Sequence, residues 1–100
     1  MIKVVYSLND GFYTSLEVKG HADSDDYGKD LICAGVSSIM FGLMNGLDDF
    51  DDVEIKESNN HITIINDSSL DKVNNYLELV LIQLKTIEES YGEFIKIERK

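Results

Sequence analysis

Residues 20–37, GHADSDDYGKDLICAGVS, decide the fold because a strand, a loop and a helix meet there. Alternating apolar and polar residues run up to His21 and predict a strand. The polar, glycine-bearing residues 22–29 predict a loop. From about Leu31 the apolar residues recur at helical spacing, which places Cys33 in the first turn of a helix. A histidine and the single cysteine of the chain are therefore predicted at the two ends of one loop.

Two hairpins flank this stretch and its helix. Residues 2–8 and 12–19 alternate in polarity around the turn Asn9-Asp10-Gly11, which is typical of a β-hairpin. In the second of these strands the alternation places one set of side chains inward: Phe12, Thr14, Leu16 and Val18. Residues 53–56 and 62–65 predict a second hairpin around an asparagine-rich turn.

The helices complete an α+β pattern. The first is predicted over residues 31–48, and the second opens at a capping box made by Ser68 and Asp71 and ends at Gly92. A last strand is predicted at residues 94–98. The order β-β-α-β-β-α-β predicts two helices packed on a mostly antiparallel sheet, and 100 residues suffice for one such domain.

The first predicted helix is apolar over most of its circumference, so we expect it to be buried on more than one side. One face carries a regular apolar stripe: Ile32, Val36, Ile39, Met40, Leu43 and Leu47. Phe41 and Met44 add apolar surface elsewhere, which predicts a partner subunit and hence a homodimer. Three glycines weaken the propensity of this helix and would be tolerated if another backbone approached closely there: Gly35, Gly42 and Gly46.

Charge and composition narrow the function classes. The chain has 19 acidic and 9 basic residues and a net charge of −10, which argues against nucleic acid as a partner. This charge suits a basic partner or serves solubility alone. We expect no membrane association, because no apolar run could cross a bilayer and no leader precedes the first strand. One cysteine and two histidines are too few for a structural zinc site, so no metal or cofactor is expected. A lone reduced thiol favours a cytoplasmic protein.

Cys33 and His21 have the chemistry of a nucleophile and its base. A thiol at a helix N-terminus lies where the dipole and unpaired backbone N–H groups favour the thiolate. The N–H groups of Cys33 and Ala34 could there form an oxyanion hole. The alternatives are a cysteine that acts as a small buried hydrophobic residue and a histidine that is merely a polar residue at a strand end.

Three further polar residues have both structural and functional interpretations. Asp30 is either the N-cap of the helix or a group that orients His21 or the substrate. Ser37 follows Cys33 by one helical turn and either bonds near the site or bonds back to its own helix. His61 follows the asparagine-rich turn and is predicted to be a surface residue.

The motif residues resemble those of the ribosomal-processing cysteine protease family Prp. The resemblance is carried by GHA at residues 20–22 and by GxDxxCAGxS at residues 28–37, and it continues to QLKTIEExY at residues 83–91. It implies a small bacterial homodimer that removes a short N-terminal extension from a large-subunit ribosomal protein. Cleavage would follow an aromatic residue at the end of that extension.

The resemblance also implies roles for single residues. Cys33 would be the nucleophile and His21 the general base, while a group of neighbours would support the site or bind substrate: Asp30, Ala34 and Ser37. The loop from 22 to 29 would move to admit the peptide, with Gly20 and Gly28 as its hinges.

Two other functions remain open from the residues alone. The chain could be an acidic binding module that captures a basic ribosomal segment without chemistry. A redox or acyl-carrier use of Cys33 ranks lower, because the chain has no resolving cysteine. A reactive thiolate at Cys33 is required by the protease and not by the binding module.

Overall fold

Two helices and one five-stranded sheet make up the fold of the computed structural model, which describes residues 1–20 and 27–100. In chain order the elements are β1 Ile2–Asn9, β2 Phe12–Lys19, α1 Tyr27–Leu47, β3 Val53–Ser58, β4 His61–Asn66, α2 Asp71–Tyr91 and β5 Ile95–Arg99. The predicted α+β order is confirmed.

The sheet has the strand order β3-β4-β2-β1-β5. Both hairpins and the β2–β4 pair are antiparallel, whereas β5 runs parallel to β1. The sheet is therefore mixed but mostly antiparallel, as predicted. The two edges of the sheet are β3 and β5. Strand β3 contributes residues to the candidate site.

The core lies between the two helices and one face of the sheet. The apolar stripe predicted for α1 is buried at Ile32, Val36, Met40, Leu43 and Leu47, and half-buried at Ile39. The stripe of α2 is buried as well, at Val73, Leu77, Val80, Leu81 and Leu84. The sheet contributes Val4, Leu16, Val18 and Ile64. The buried side chains of the strands therefore identify the face of the sheet that lies on the side of α1.

A β-bulge changes the inward set of side chains in β2. The pairing runs Ser7 with Ser15 and then Leu8 with Tyr13, so one residue of β2 is extra at this point. Tyr13 consequently packs against the core, 6.0 Å from the ring of Tyr6, where the regular alternation predicted Thr14 to face inward. Leu16, beyond the bulge, is buried as predicted.

The start of α2 differs from its prediction. The residue that precedes the helix is Leu70, which makes no side-chain capping bond, and Asp71 is already helical. Ser68 instead accepts a hydrogen bond on Oγ from the Leu70 N–H at 3.1 Å. The predicted capping box is therefore wrong, while the end of the helix at Gly92 is confirmed.

The three glycines of α1 have no close backbone contact within the described chain. A Cβ added at Gly35 would meet only the Ile87 side chain at 3.7 Å, and one added at Gly46 would meet the ring of Tyr76 at 3.5 Å. At Gly42 no described atom lies within 4 Å. These are ordinary packing distances or open space, so the close approach inferred from the glycines is not present within the described chain.

Candidate active site

A cleft of about 480 Å³ lies beside Cys33, between α1 and the end of the sheet at which β2 finishes. One face of α1 forms its wall through Cys33, Val36, Ser37, Met40 and Phe41. These residues follow one another by three or four positions along the helix, which places them on one side. Val36 and Met40 are buried, whereas Cys33 is half-buried and Phe41 is 48% exposed.

A row of paired strand residues forms the floor of the cleft. Val18 on β2 pairs with Ile62 on β4, and Ile62 pairs with Glu57 on β3. Because paired residues share a face of the sheet, the burial of Val18 places the whole row on the side of the helices. The floor is therefore apolar at β2 and β4 and carries a carboxylate at the edge strand.

Gly20 ties the end of β2 to this cleft and adopts a backbone conformation that favours glycine. Its φ is +90°, and a Cβ added there would clash with the carbonyl oxygen of Met1. Its N–H donates to the Asn60 carbonyl in the β3–β4 turn at 3.1 Å. Gly20 therefore fixes the direction in which the chain leaves β2, immediately before His21.

Cys33 does not lie at the helix start, which corrects the prediction. α1 begins at Tyr27, so Cys33 is in the second turn, and the regular helical pattern pairs its backbone N–H within the helix. The dipole effect falls off within the first turn and is weak at this position. The backbone N–H groups of Cys33 and Ala34 are accordingly not the unpaired donors that the predicted oxyanion hole requires.

The other predicted site residues divide into three groups. Ser37 and Gly20 line the cleft together with Cys33. Ala34 is exposed and is not among the described residues of the cleft wall. His21 and residues 22–26 of the predicted loop lie outside the described residues.

The backbone of α1 corrects two positions within its first turn. Asp30 is helical, so it is not the N-cap, because an N-cap precedes the first helical residue. Gly28 is also helical, so the predicted loop ends before it. The side chain of Asp30 lies outside the described part of the chain, and the roles of both residues stay predictions.

The second histidine belongs to the opposite face of the sheet. His61 lies at the end of the cleft, but its Nε2 is 2.8 Å from Glu17 Oε2. Glu17 lies between Leu16 and Val18, which are buried on the helix side, so it faces the other way. The hydrogen bond with His61 holds the pKa of Glu17 below its ordinary value, against a smaller effect of burial. His61 is thus a surface residue with a carboxylate partner.

Sequence analysis missed the part that the β3–β4 hairpin plays in the cleft. Glu57 and the turn residues Ser58, Asn59 and Asn60 line it, as does Phe41, which was assigned to a subunit interface. A pattern that could have found Glu57 is the alternation Val53, Ile55, Glu57, in which a charged residue takes the third inward position.

Two kinds of site are absent from the described residues. Residues 1–20 and 27–100 contain no cluster of three or more His, Cys, Asp or Glu side chains placed to hold a metal ion. Neither α1 nor α2, within the described range, combines the length and apolarity needed to cross a membrane.

Comparison with known proteins gives whole-chain matches. The family model described as cysteine protease Prp matches residues 1–96. The ribosomal processing cysteine protease Prp of Staphylococcus aureus is 35% identical over 106 residues, which covers 100% of both chains. A crystal structure of the S. aureus protease in complex with a substrate peptide superimposes with a TM-score of 0.89 at 33% identity, and it also covers both chains completely. A second structure, with a covalently linked product peptide, gives a TM-score of 0.88 at 35% identity over the same full lengths.

Proposed function

The chain belongs to the cysteine protease Prp family and is a cysteine protease, and on this basis we propose that it removes the N-terminal extension of a bacterial large-subunit ribosomal protein. The relatives are ribosomal processing proteases, and a solved relative binds a substrate peptide. The observation that carries the proposal is that the chain has one cysteine and this cysteine lines the cleft.

Cys33 is the nucleophile in this proposal. Its half-buried side chain lines a cleft of about 480 Å³ whose floor includes the apolar residues Val18 and Ile62. The covalently linked product peptide in the S. aureus relative supports covalent catalysis, because a thiol protease passes through a thioester. The apolar floor suits an aromatic side chain next to the scissile bond.

His21 is the general base and then the general acid. It takes the proton of the Cys33 thiol as the sulfur attacks the peptide carbonyl, and it gives that proton to the leaving amine. Water then hydrolyses the thioester and restores the thiol. Asp30 orients His21, and Ser37, which lines the cleft one turn after Cys33, hydrogen-bonds the bound peptide.

We further propose that the protein acts as a cytoplasmic homodimer. The support is a set of large apolar side chains that are about half exposed: Leu31, Phe41, Leu79 and Ile82. A groove of about 400 Å³ runs between α1 and α2, and its lining includes Ile39 and Leu43 beside small residues of α1 and Tyr76, Leu79 and Val80 of α2. Burying such a surface against a second copy would remove it from water.

The proposed function is tested by Cys33→Ala. Cleavage of a synthetic peptide that spans the extension should fall by several orders of magnitude, because the nucleophile is lost. Circular dichroism should be unchanged, since alanine is a good helix former. The variant should still bind the peptide and act as a trap. Cleavage at near wild-type speed would contradict the proposal.

The base is tested by comparing the two histidines. His21→Ala should lower the rate of Cys33 alkylation near neutral pH and stop turnover, because the imidazole is proposed to take the thiol proton. His61→Ala is the matched control for thiol reactivity and should leave the alkylation rate unchanged, since its ring bonds Glu17 on the opposite face of the sheet. Identical rate–pH curves for the wild type and His21→Ala would show that His21 is not coupled to the thiol.

A further inference from the structure

Glu57 is a charged residue in an apolar position of the sheet. Along β3 the residues Val53 and Ile55 pack against the core, and Glu57 is the next residue on the same side. It pairs with Ile62, which also packs against the core. The side chain that follows two core residues is therefore an exposed carboxylate directed to the helix side, where the cleft lies.

The surroundings of Glu57 leave its charge available to a ligand. No described residue forms an ion pair with Glu57, whereas its neighbour Lys56 pairs with Glu54 at 3.4 Å. The described residues that line the cleft include no lysine or arginine, and the ring of His61 is bonded to Glu17. Glu57 is the one carboxylate among these lining residues.

The distance from Glu57 to the apolar floor fits a short piece of extended peptide. β2, β4 and β3 are neighbours, so the row from Val18 through Ile62 to Glu57 spans two strand spacings, or about 10 Å. An extended peptide rises about 3.3 Å per residue and covers this span with about three residues. One peptide can thus place an apolar side chain on the floor and a second side chain at the carboxylate.

The geometry points to Glu57 as a specificity residue that binds a lysine or arginine side chain of the peptide substrate. This inference rests on the proposed function, since it assumes that a peptide occupies the cleft. Opposite charges at an exposed cleft edge contribute modestly, so the expected preference for a basic side chain is about 1.5-fold to fivefold at low salt. The negative charge of the whole chain favours the same peptides without selecting a position.

The test uses synthetic peptides with one fixed phenylalanine and alanine elsewhere, in which lysine or methionine is placed at each position in turn. Two readouts are taken: kcat/KM with the wild type, and the dissociation constant with the Cys33→Ala variant. At one position lysine should be preferred to methionine by about 1.5-fold to fivefold. Glu57→Gln should remove the preference, and Glu57→Lys should transfer it to peptides with glutamate at that position.

The matched control is Glu54→Gln. It removes the same charge from the same strand, but Glu54 lies on the other face, so the positional preference should persist. A preference that survives Glu57→Gln, or that Glu54→Gln abolishes equally, would overturn the inference.

The two readouts separate this inference from the proposed function. Positional binding without cleavage would contradict the protease proposal and support the role of Glu57. Cleavage with no positional preference would support the protease and overturn the role of Glu57. Peptides that are neither bound nor cleaved would contradict both.

Discussion

Replacing Gly20 by alanine tests whether the exit of the chain from β2 positions the catalytic base. Gly20 has a φ of +90° and contacts Met1 so closely that an added Cβ would overlap its carbonyl oxygen. Gly11→Ala is the matched control, because its φ is +83° but nothing lies within 4 Å of the added Cβ. The two variants share the backbone cost of a positive φ, and only Gly20→Ala adds the clash.

The expected magnitudes follow from these two contributions. A left-handed conformation costs an alanine about 1–2 kcal/mol, which should lower the Tm of Gly11→Ala by roughly 5–10 °C. Relieving a clash with backbone adds about 1–3 kcal/mol, so Gly20→Ala should lose about 2–5 kcal/mol and roughly 10–25 °C in Tm. Small domains are stabilised by about 5–15 kcal/mol, so Gly11→Ala should fold at 20 °C, and the activity of Gly20→Ala is normalised to the folded fraction that circular dichroism measures at that temperature.

Measuring the cleavage activity of both variants distinguishes an effect on the active site from a loss of stability. At 20 °C Gly11→Ala should cleave peptide at the wild-type rate, because it lies in the β1–β2 turn at the far end of the hairpin. Gly20→Ala should lose about tenfold or more, because it precedes His21 and shifts the proposed base. The assays are thermal unfolding followed by circular dichroism and kcat/KM on the extension peptide. Equal Tm and equal activity for the two variants would refute the reasoning.

Three further predictions concern charge and assembly. The hydrogen bond to His61 lowers the pKa of Glu17, so the stabilisation from this bond is complete above the ordinary carboxyl pKa and is lost as pH falls through the lowered value. Glu17→Gln should therefore reduce the fall in the free energy of unfolding below pH 4.5, measured with urea, by less than about 1 kcal/mol, and an unchanged pH profile would contradict this. Leu79→Glu should yield monomers by sedimentation velocity at micromolar concentration, while the equally exposed Leu70→Glu should not, and a dimer in both would place the interface elsewhere. Peptide KM should rise with added KCl because the chain carries a charge of −10, and a flat response would limit that charge to solubility.

The element order was predictable because burial enforces the period of each element. Along α1 the residues Ile32, Val36 and Met40 recur at helical spacing and are all buried. In β2 the residues Leu16 and Val18 alternate with exposed or half-exposed neighbours and are buried as well. Each stripe has one partner surface in a domain of this size, so the pattern specifies the packing as well as the element.

The β-bulge was not predictable from the same pattern. Phe12, Thr14 and Leu16 alternate in sequence, yet the extra residue in β2 turns Tyr13 toward the core. The strand tolerates this because two distant side chains bond the Tyr13 backbone: Asn74 Oδ1 accepts its N–H, and Asn66 Nδ2 donates to its carbonyl, both at 2.8 Å. Such a contact joins residues that are far apart in the chain, and no local pattern indicates it.

The residues of α1 that line the cleft could be predicted from the sequence, whereas the strand residue Glu57 at its floor could not. Cys33 and Ser37 lie on one helical face by their spacing alone. Glu57 joins them only because β3 pairs with β4 and β4 with β2, and the register of these pairs is a tertiary property. The strand order, which a single sequence does not specify, brings the carboxylate to the thiol's cleft.

The helix start changes the explanation of how Cys33 becomes reactive. Residues 27–30 contain a glycine and no apolar repeat, so local propensity predicted a loop there, but extending an existing helix by one turn costs little. Once the helix begins at Tyr27, the dipole no longer reaches Cys33, and its N–H is paired in the helix. In the proposed mechanism, activation of the thiol then depends on His21, and stabilisation of the oxyanion depends on groups outside the helix backbone. The proposal that His21 is the base therefore assigns a positioning role to Gly20, the last described residue before it, and Gly20→Ala tests that role.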